Sequence, residues 1–519
     1  MSGKSAKVFQ AGIIDIGSHS VRLDIFEVAP GGEPVLLESL SRPVNLGYDV
    51  FRKGAVSSEN ISLLSEVMCG FARKLSEYGA AARCRVVATS AMREAFNREL
   101  VINRVRNDSG LTIEILETQE EARITFLAVR EELRKSCDFD KLSGIAFIVG
   151  TGSLIVIFFE GGLLRFCEAV PLGTVRFFDE FGRSAVNAEE IIEILYSSAI
   201  EQRIRDCVRL RSELPLSLVG IGAGVRLLVR QEKYNQPHDV IRLPVAEVSK
   251  LAGQAMRTDP EKLARKLNIP DHLALSLAPC GSLVTYFLKE FTCGELINPA
   301  TTTRSALIYD LIRKVGNIHN DPFHDDIIAA AEGIGRKYGI ELGHARSVTC
   351  TALKIFDKLK RFYDFPPRGR LLLEVAGVLH DVGRFVDTRQ HHKHSYYLIV
   401  NAQIPGLTVA EQQIVATVAR YHRKAGPKSS HPEYISLSSE EKVLVLKLAA
   451  ILRVADALDR AHFHRMRDMT LRLRGDEFFI LVAEAAQFNL ESLYLEAKGD
   501  MFREVFGLKI RLGDVLEGR

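Results

Sequence analysis

Residues 8–29 read VFQAGIIDIGSHSVRLDIFEVA, two apolar runs on either side of Gly17-Ser18-His19-Ser20. Each run is short and rich in Ile, Val and Phe, so the segment predicts two strands joined by a turn, with Asp15 near the end of the first. The scheme restarts at residue 143. There SGIAFIVGTGSLIVIFFE sets Gly150, Thr151, Gly152 and Ser153 between two further apolar runs. Two such openings in one chain predict an internal duplication.

Between them the sequence predicts a helix over 57–79, a strand in CRVVATSA (84–91) that runs into a helix, and a strand in LTIEILET (111–118). EEARITFLAVREELRK (120–135) has apolar residues at helical spacing. The second copy runs on through ATTTRSALIYDLIRK (300–314), and the turn-rich NIHNDPFHDD (317–326) reads as a linker. From there to about residue 466 the period is almost wholly helical, and 11 of the 14 histidines fall in this stretch. The tail changes again. MTLRLRG and EFFILVAE alternate like strands, LESLYLEAKGDMFREVF is helical and GLKIRL is a last strand. The expected class is α/β plus all-α: two α/β lobes over 8–138 and 139–315, a helical domain over 322–466 and a small α/β domain over 467–519.

The bulk properties narrow the function classes. A chain of 519 residues is too long for one core and suggests three or four domains. A net charge of +3 is close to neutral at this size and argues for neither nucleic acid nor a membrane surface as partner. The eight cysteines (Cys69, Cys84, Cys137, Cys167, Cys207, Cys280, Cys293 and Cys350) are widely spaced, as expected of thiols in a reducing cytoplasm. MSGKSAKVFQ at the start has no apolar core of a signal peptide. The most apolar stretch, IAFIVGTGSLIVIFF, is cut by its Gly-rich turn and reads as two strands rather than a membrane span.

Two groups of residues point to chemistry. The first is phosphate-like: Asp15 can hold a metal or its water, while Gly17 and Ser18 let backbone amides approach an anion. Thr89, Ser90 and Arg93 stand at a strand-to-helix junction, which favours anions. Gly150, Gly152 and Ser153 form the second Gly turn, and VPLGTVRFFDEF supplies another, followed by Arg176. Glu120 and Glu121 open a helix, and either is a candidate general base. The second group centres on His380-Asp381, at the end of the run LLLEVAGVLHDVGRF. His344 lies upstream, and His394, His422 and Asp456 lie downstream. Imidazole nitrogen and carboxylate oxygen are the ligands of hydrolytic Zn, Mn, Fe or Mg sites. Asp456 sits among Leu452, Val454, Ala455 and Leu458, where a carboxylate needs a cation or a donor. His391, His392 and His431 are set aside as surface residues.

The order His, His-Asp, His, His, Asp across a helical domain resembles the HD-domain phosphohydrolases. HDVGRF, HHKHSYYLI, RYHRK and LRVADALDR are similar to the HD domain found at the C-terminus of Ppx/GppA phosphatases. The DIGS turn, ATSAMREA and TQEEARITFLAV resemble the N-terminal module of the same family, so the resemblance spans nearly the whole chain. It implies a duplicated ribonuclease-H-like (actin-like) two-lobe module. It also implies hydrolysis of phosphoanhydride bonds in inorganic polyphosphate or a phosphorylated guanine nucleotide, and a cytoplasmic homodimer. Glu121 would be the catalytic base, with Mg²⁺ in the cleft. His344, His380, Asp381 and Asp456 would hold one Mn, Fe, Zn or Mg ion; His394 and His422, with Asp381 bridging, a second.

The departures from the family pattern bear on function. His19 replaces Asn in the first loop. In the second, Ile148 stands in an Asp place, Thr151 in that of the middle Gly, Leu154 in a Thr place and Ile155 in a Glu place. The third reads Gly222-Ala223-Gly224 instead of Gly-Gly-Thr. With both second-loop carboxylates gone, the family's chemistry implies an eroded N-terminal site beside an intact HD site. Two alternatives stand beside a family-type enzyme acting through Glu121. One is an HD-domain nucleotide phosphohydrolase whose N-terminal cleft senses polyphosphate or nucleotide; the other is a non-catalytic scaffold for phosphate-rich ligands.

Overall fold

A computed structural model describes residues 8–29, 32–170, 172–174, 176, 216–230, 240–315, 323–402, 404–423, 426–459, 469–483 and 489–514. The chain forms two compact units, residues 1–321 and 322–519. Most of the predicted linker lies outside the described residues.

The first unit contains two sheets. One is built from β1 (Phe9–Ile16), β2 (Ser20–Val28), β3 (Val35–Pro43), β4 (Cys84–Ala88) and β5 (Glu114–Ile115), in the order β3-β2-β1-β4-β5. The other is built from β6 (Ser143–Val149), β7 (Leu154–Glu160), β8 (Leu163–Val170), β9 (Leu216–Ile221), β10 (Ile241–Pro244) and β11 (Cys293–Asn298), in the order β10-β11-β9-β6-β7-β8. Both sheets begin with three antiparallel strands and continue with two parallel ones on the far side of the first strand. This repeated topology is the duplication that the two Gly turns suggest. It puts Asp15 of β1, opposite Arg22, and Ile148 of β6, opposite Ile155, at equivalent positions one pair before the strand end.

The third strand of each lobe, β3 and β8, goes beyond the sequence reading. β3 is an edge strand with no fully buried residue, so it shows no apolar alternation to read. The strand expected over 111–118 shrinks to Glu114–Ile115, since β5 lies at the opposite edge and pairs with β4 through these two residues. The helix expected over 57–79 is Ser58–Glu77, started by Ser57, whose side chain accepts from the Asn60 amide. The helix that carries Glu121 is Thr118–Arg134.

In the second unit, helices His324–Lys337, Leu342–Leu359, Gly369–Leu379, His391–Val400, Val409–Arg420 and Ser439–Leu458 pack together. Capping boxes at Thr408/Glu411 and Ser438/Glu441 fix the starts of the last two helices. The tail forms β12 (Thr470–Arg474), β13 (Glu477–Val482) and β14 (Lys509–Asp514), in that order. It is part of the same compact unit as the helices. Tyr363 Oη donates to the Phe506 carbonyl, and Lys498 pairs with Asp456. The single helix expected over 490–506 is two, Asn489–Lys498 and Asp500–Phe506, divided at Gly499. Among the described residues no helix is long and apolar enough to cross a membrane, and no disulfide forms; Cys207 lies outside them.

Candidate functional site

In the first unit the Gly turns of the two lobes meet. Ser18 Oγ and Ser90 Oγ are 3.1 Å apart and buried. A Cβ on Gly152 would fall 2.4 Å from Ser90 Oγ, and one on Gly173 would fall 2.4 Å from the Gly152 backbone. The second loop reaches the first only because these positions carry no side chain. The Gly150 amide donates to the Ser153 carbonyl at 2.9 Å, closing the turn. Arg93 Nη1 donates to the Leu116 carbonyl at 2.6 Å and reaches Glu121 Oε2 at 3.4 Å, while the Thr89 amide bonds the Ile16 carbonyl. Arg176 pairs with Glu94 over the ring of Phe51.

The two candidate bases separate. Both oxygens of Glu120 are taken by Arg123, at 2.5 and 2.6 Å. Glu121 is the one facing Arg93. Burial pushes its carboxyl up to about 6, with Arg93 opposing and Asp15 adding to the rise. Asp15 is also raised by burial, against the pull of Arg304, whose Nη1 lies 3.8 Å from Asp15 Oδ2. Ile148 and Ile155 are buried in an apolar cluster with Ala122 and Phe126, on the helix that carries Glu121. Oily side chains thus fill the second-loop places where the family pattern has carboxylates.

In the second unit, five separate segments converge. His344 comes from helix Leu342–Leu359, and His380 ends helix Gly369–Leu379. Asp381 opens a short 3₁₀ turn, His391 begins the next helix, and His422 follows helix Val409–Arg420. Asp456 lies in the last turns of helix Ser439–Leu458. One ligand atom from each of His344, His380 and Asp381 falls within a 4.8 Å group, and so does one from each of Asp381, His391 and His422. Among the described residues these are the groups of three or more His, Cys, Asp or Glu with metal-ligand geometry. Asp456 Oδ1 stands 3.7 Å from His344 Nε2 and 3.9 Å from His380 Nε2.

The histidines share one orientation. Nδ1 of His380 bonds the Gly377 carbonyl at 2.7 Å, that of His391 the Thr388 carbonyl at 2.9 Å, and that of His422 the Ala419 carbonyl at 2.5 Å. His344 Nδ1 bonds Asp459 Oδ2 at 2.8 Å. A carbonyl only accepts, so in these three rings Nδ1 carries the proton and, in the neutral ring, Nε2 offers its lone pair inward. His391 Nε2 and His422 Nε2 then face each other at 3.3 Å, and His380 Nε2 is buried with no hydrogen-bond partner. Lone pairs gathered in this way fit a cation between them.

Charge follows geometry. Burial would raise the Asp381 carboxyl, but His380, His422 and His391 outweigh it and hold it down at about 2. Asp456 lies well below the usual carboxylate range, through His344 and Lys498. His422 is pushed down to about 3 by burial and the neighbouring His380. Burial works against a charged His344, yet Asp456 and Asp459 hold it at about 9. A cation held at Nε2 would take the place of that proton.

The local sequence makes this packing possible. A Cβ on Gly383 would lie 2.0 Å from the His391 carbonyl oxygen and 2.3 Å from the Ser395 amide. Ser395 Oγ donates to the His380 carbonyl at 2.6 Å and accepts from the Gly383 amide at 2.9 Å, tying the His-Asp turn to helix His391–Val400. That helix starts three residues before His394. His391 therefore takes the place assigned from sequence to His394: its Nε2 is 3.2 Å from Asp381 Oδ1, while His394 is half-buried one turn on, outside both groups. His391 and His392 are buried, not surface residues. Asp459 and Lys498 are further members that the sequence reading missed. The HHKH run contained the signal for His391, but periodicity does not fix a helix start to within one turn.

Family models match both halves of the chain. The Ppx/GppA phosphatase family matches residues 25–314, more than half of the chain, and Ppx/GppA phosphatase domain III matches residues 328–497. A guanosine-5'-triphosphate,3'-diphosphate pyrophosphatase from Photobacterium profundum is 23% identical over 466 residues, covering 88% of this chain and 87% of that protein. Another so named, from Vibrio vulnificus, is 24% identical over 484 residues, covering 90% and 91%. Among solved structures, an exopolyphosphatase from Cytophaga hutchinsonii superposes with a TM-score of 0.51 at 17% identity, over 59% of this chain and 98% of its own. That likeness concerns the fold.

Proposed function

The chain belongs to the Ppx/GppA phosphatase family, and from that premise we propose that it hydrolyses phosphoanhydride bonds at the His380-Asp381 cluster. Its substrate is inorganic polyphosphate or a phosphorylated guanine nucleotide, as the names of its relatives suggest. One observation carries the reading: four imidazoles and two carboxylates converge, with His380 Nε2 buried and unpartnered. Phosphatases of this family use divalent metals. His344, His380, Asp381 and Asp456 would hold one ion, and His391 and His422, with Asp381 shared, a second. Such a nitrogen-rich set suits Mn, Fe or Zn better than Mg. A bound ion lowers the pKa of its water towards neutrality and stabilises charge on the phosphoryl oxygens. The protein supplies the rest. The backbone carbonyls fix the three rings, and Arg384, donating to Asp381 Oδ2 at 3.0 Å, leaves Oδ1 to face the imidazoles.

In this reading the N-terminal cleft binds phosphate without cleaving it. Ser18, Ser90 and Arg93 remain, with the turn from Gly150 to Ser153, but isoleucine fills the places of two carboxylates. A second reading keeps catalysis there, supported by the buried Glu121 beside Arg93. The two separate in one experiment. Phosphate release from polyphosphate and from pppGpp is compared for the parent, Glu121→Gln and His380→Ala/Asp381→Ala, with metal content by emission spectrometry. The double variant should lose bound metal and about 100-fold or more in rate, and Glu121→Gln less than threefold. The reverse pattern moves the chemistry to the cleft.

A further inference from the structure

The His-Asp cluster opens into a cavity of about 190 Å³ that contains more than metal ligands. Arg384 and Arg423 line it as well. Arg384 is anchored to Asp381. Arg423 follows directly on His422, is half-buried and makes no hydrogen bond or ion pair among the described residues. Its charge is felt at His391, where it opposes protonation. A free guanidinium on the wall of a cluster built to hold cations adds repulsion unless an anion enters. Guanidinium is also the side chain whose flat fork of donors matches phosphate oxygens.

Size limits what the anion can be. Pockets that enclose small organic ligands run from about 300 to 1,000 Å³, well above this cavity, which must also accommodate the ions. We propose that Arg423, assisted by Arg384, binds the phosphoryl group under attack, and that the cavity admits only the phosphorylated end of the substrate. The remainder of the substrate, whether a phosphate chain or a nucleoside, then lies outside the cavity. This rests on reading the cluster as a metal site, but the anion contact is separable from it.

The test titrates inorganic phosphate, the common product, into full-length protein carrying Arg93→Gln, which disables the anion cleft of the first unit and serves as the parent here. It is also titrated into the same background with Arg423→Gln or Arg423→Lys, each with and without added Mn²⁺. Binding is followed by calorimetry and metal content by emission spectrometry. Arg423→Gln should weaken phosphate binding at least tenfold while metal content stays unchanged, and Arg423→Lys should recover part of the loss. Phosphate affinity within twofold of the parent in Arg423→Gln overturns the proposal. Absence of Mn²⁺ from the parent overturns the metal reading instead, and the comparison without metal still decides the role of Arg423.

Discussion

In the N-terminal cleft, isoleucine occupies the two equivalent strand positions beside the Gly150–Ser153 turn; in the C-terminal cavity every lining side chain is polar. Both sites bring segments from distant parts of the sequence to between 3.1 and 3.3 Å of each other. They differ in what that closeness costs. In the cleft the backbone cradle persists without carboxylates at the two second-loop positions, because glycine and serine are neutral and Ile148 and Ile155 join the core. In the cluster, facing imidazole nitrogens repel unless a proton or a cation lies between them, and the proposed metal would supply that cation. On the proposed reading the cradle has outlived its chemistry, whereas the facing imidazoles have kept theirs.

Four substitutions test that contrast, the largest effect first. Ile148→Asp restores a family carboxylate to the cleft, yet it places a charge among Ala122, Phe126 and Ile155. An uncompensated buried charge costs about 3–5 kcal/mol before the lost apolar packing is added. The denaturation midpoint should fall steeply with no gain in phosphate release; restored turnover would return the cleft to catalysis. Lys498→Met removes the ammonium from the buried Asp456 and should cost about 3 kcal/mol. Added Mn²⁺ should recover part of that in a melting experiment, and a melting point insensitive to metal would show that Asp456 is not a ligand.

Gly383→Ala forces a methyl group to within 2.0 Å of the His391 carbonyl. Overpacking of this kind costs about 1–3 kcal/mol, and it should separate His391 from Asp381, so bound metal falls along with stability. Glu121→Gln has the smallest effect and the clearest sign. Burial raises the folded-state pKa to about 6 from the ordinary 4.5, so Glu121 favours folding below about pH 4.5 and loses that contribution as pH rises through 6. The variant should match the parent near pH 4.5 and exceed it by about 2 kcal/mol near pH 7.5, at 1.36 kcal/mol per unit. Equal stability at both pH values would mean that Glu121 is not desolvated.

Much of this was legible in sequence for physical reasons. The hairpin openings at 8–29 and 143–160 stand out because short β-branched runs flank Gly turns, and their repetition carried the two-lobe reading. β3 escaped because an exposed edge strand has no apolar face. In the cluster, His344, His380, Asp381, His422 and Asp456 could be picked out because each interrupts or ends an apolar helix. His391 was passed over for His394 because the two lie one turn apart on the same short helix. Which of them reaches Asp381 depends on the Gly383–Ser395 contact, a tertiary fact. Lys498 was out of reach, since nothing in LESLYLEAKG shows that its lysine turns inward.

That lysine has a consequence for the order in which the molecule is made. Domains generally acquire structure as they leave the ribosome, from the N-terminus onward. The chain is complete through Asp456 some forty residues before Lys498 is added. Until then the buried aspartate lacks the ammonium that balances it. The cluster therefore matures late, and a fragment ending at Asp459 would carry the ligands without the counter-charge that lets them stay buried.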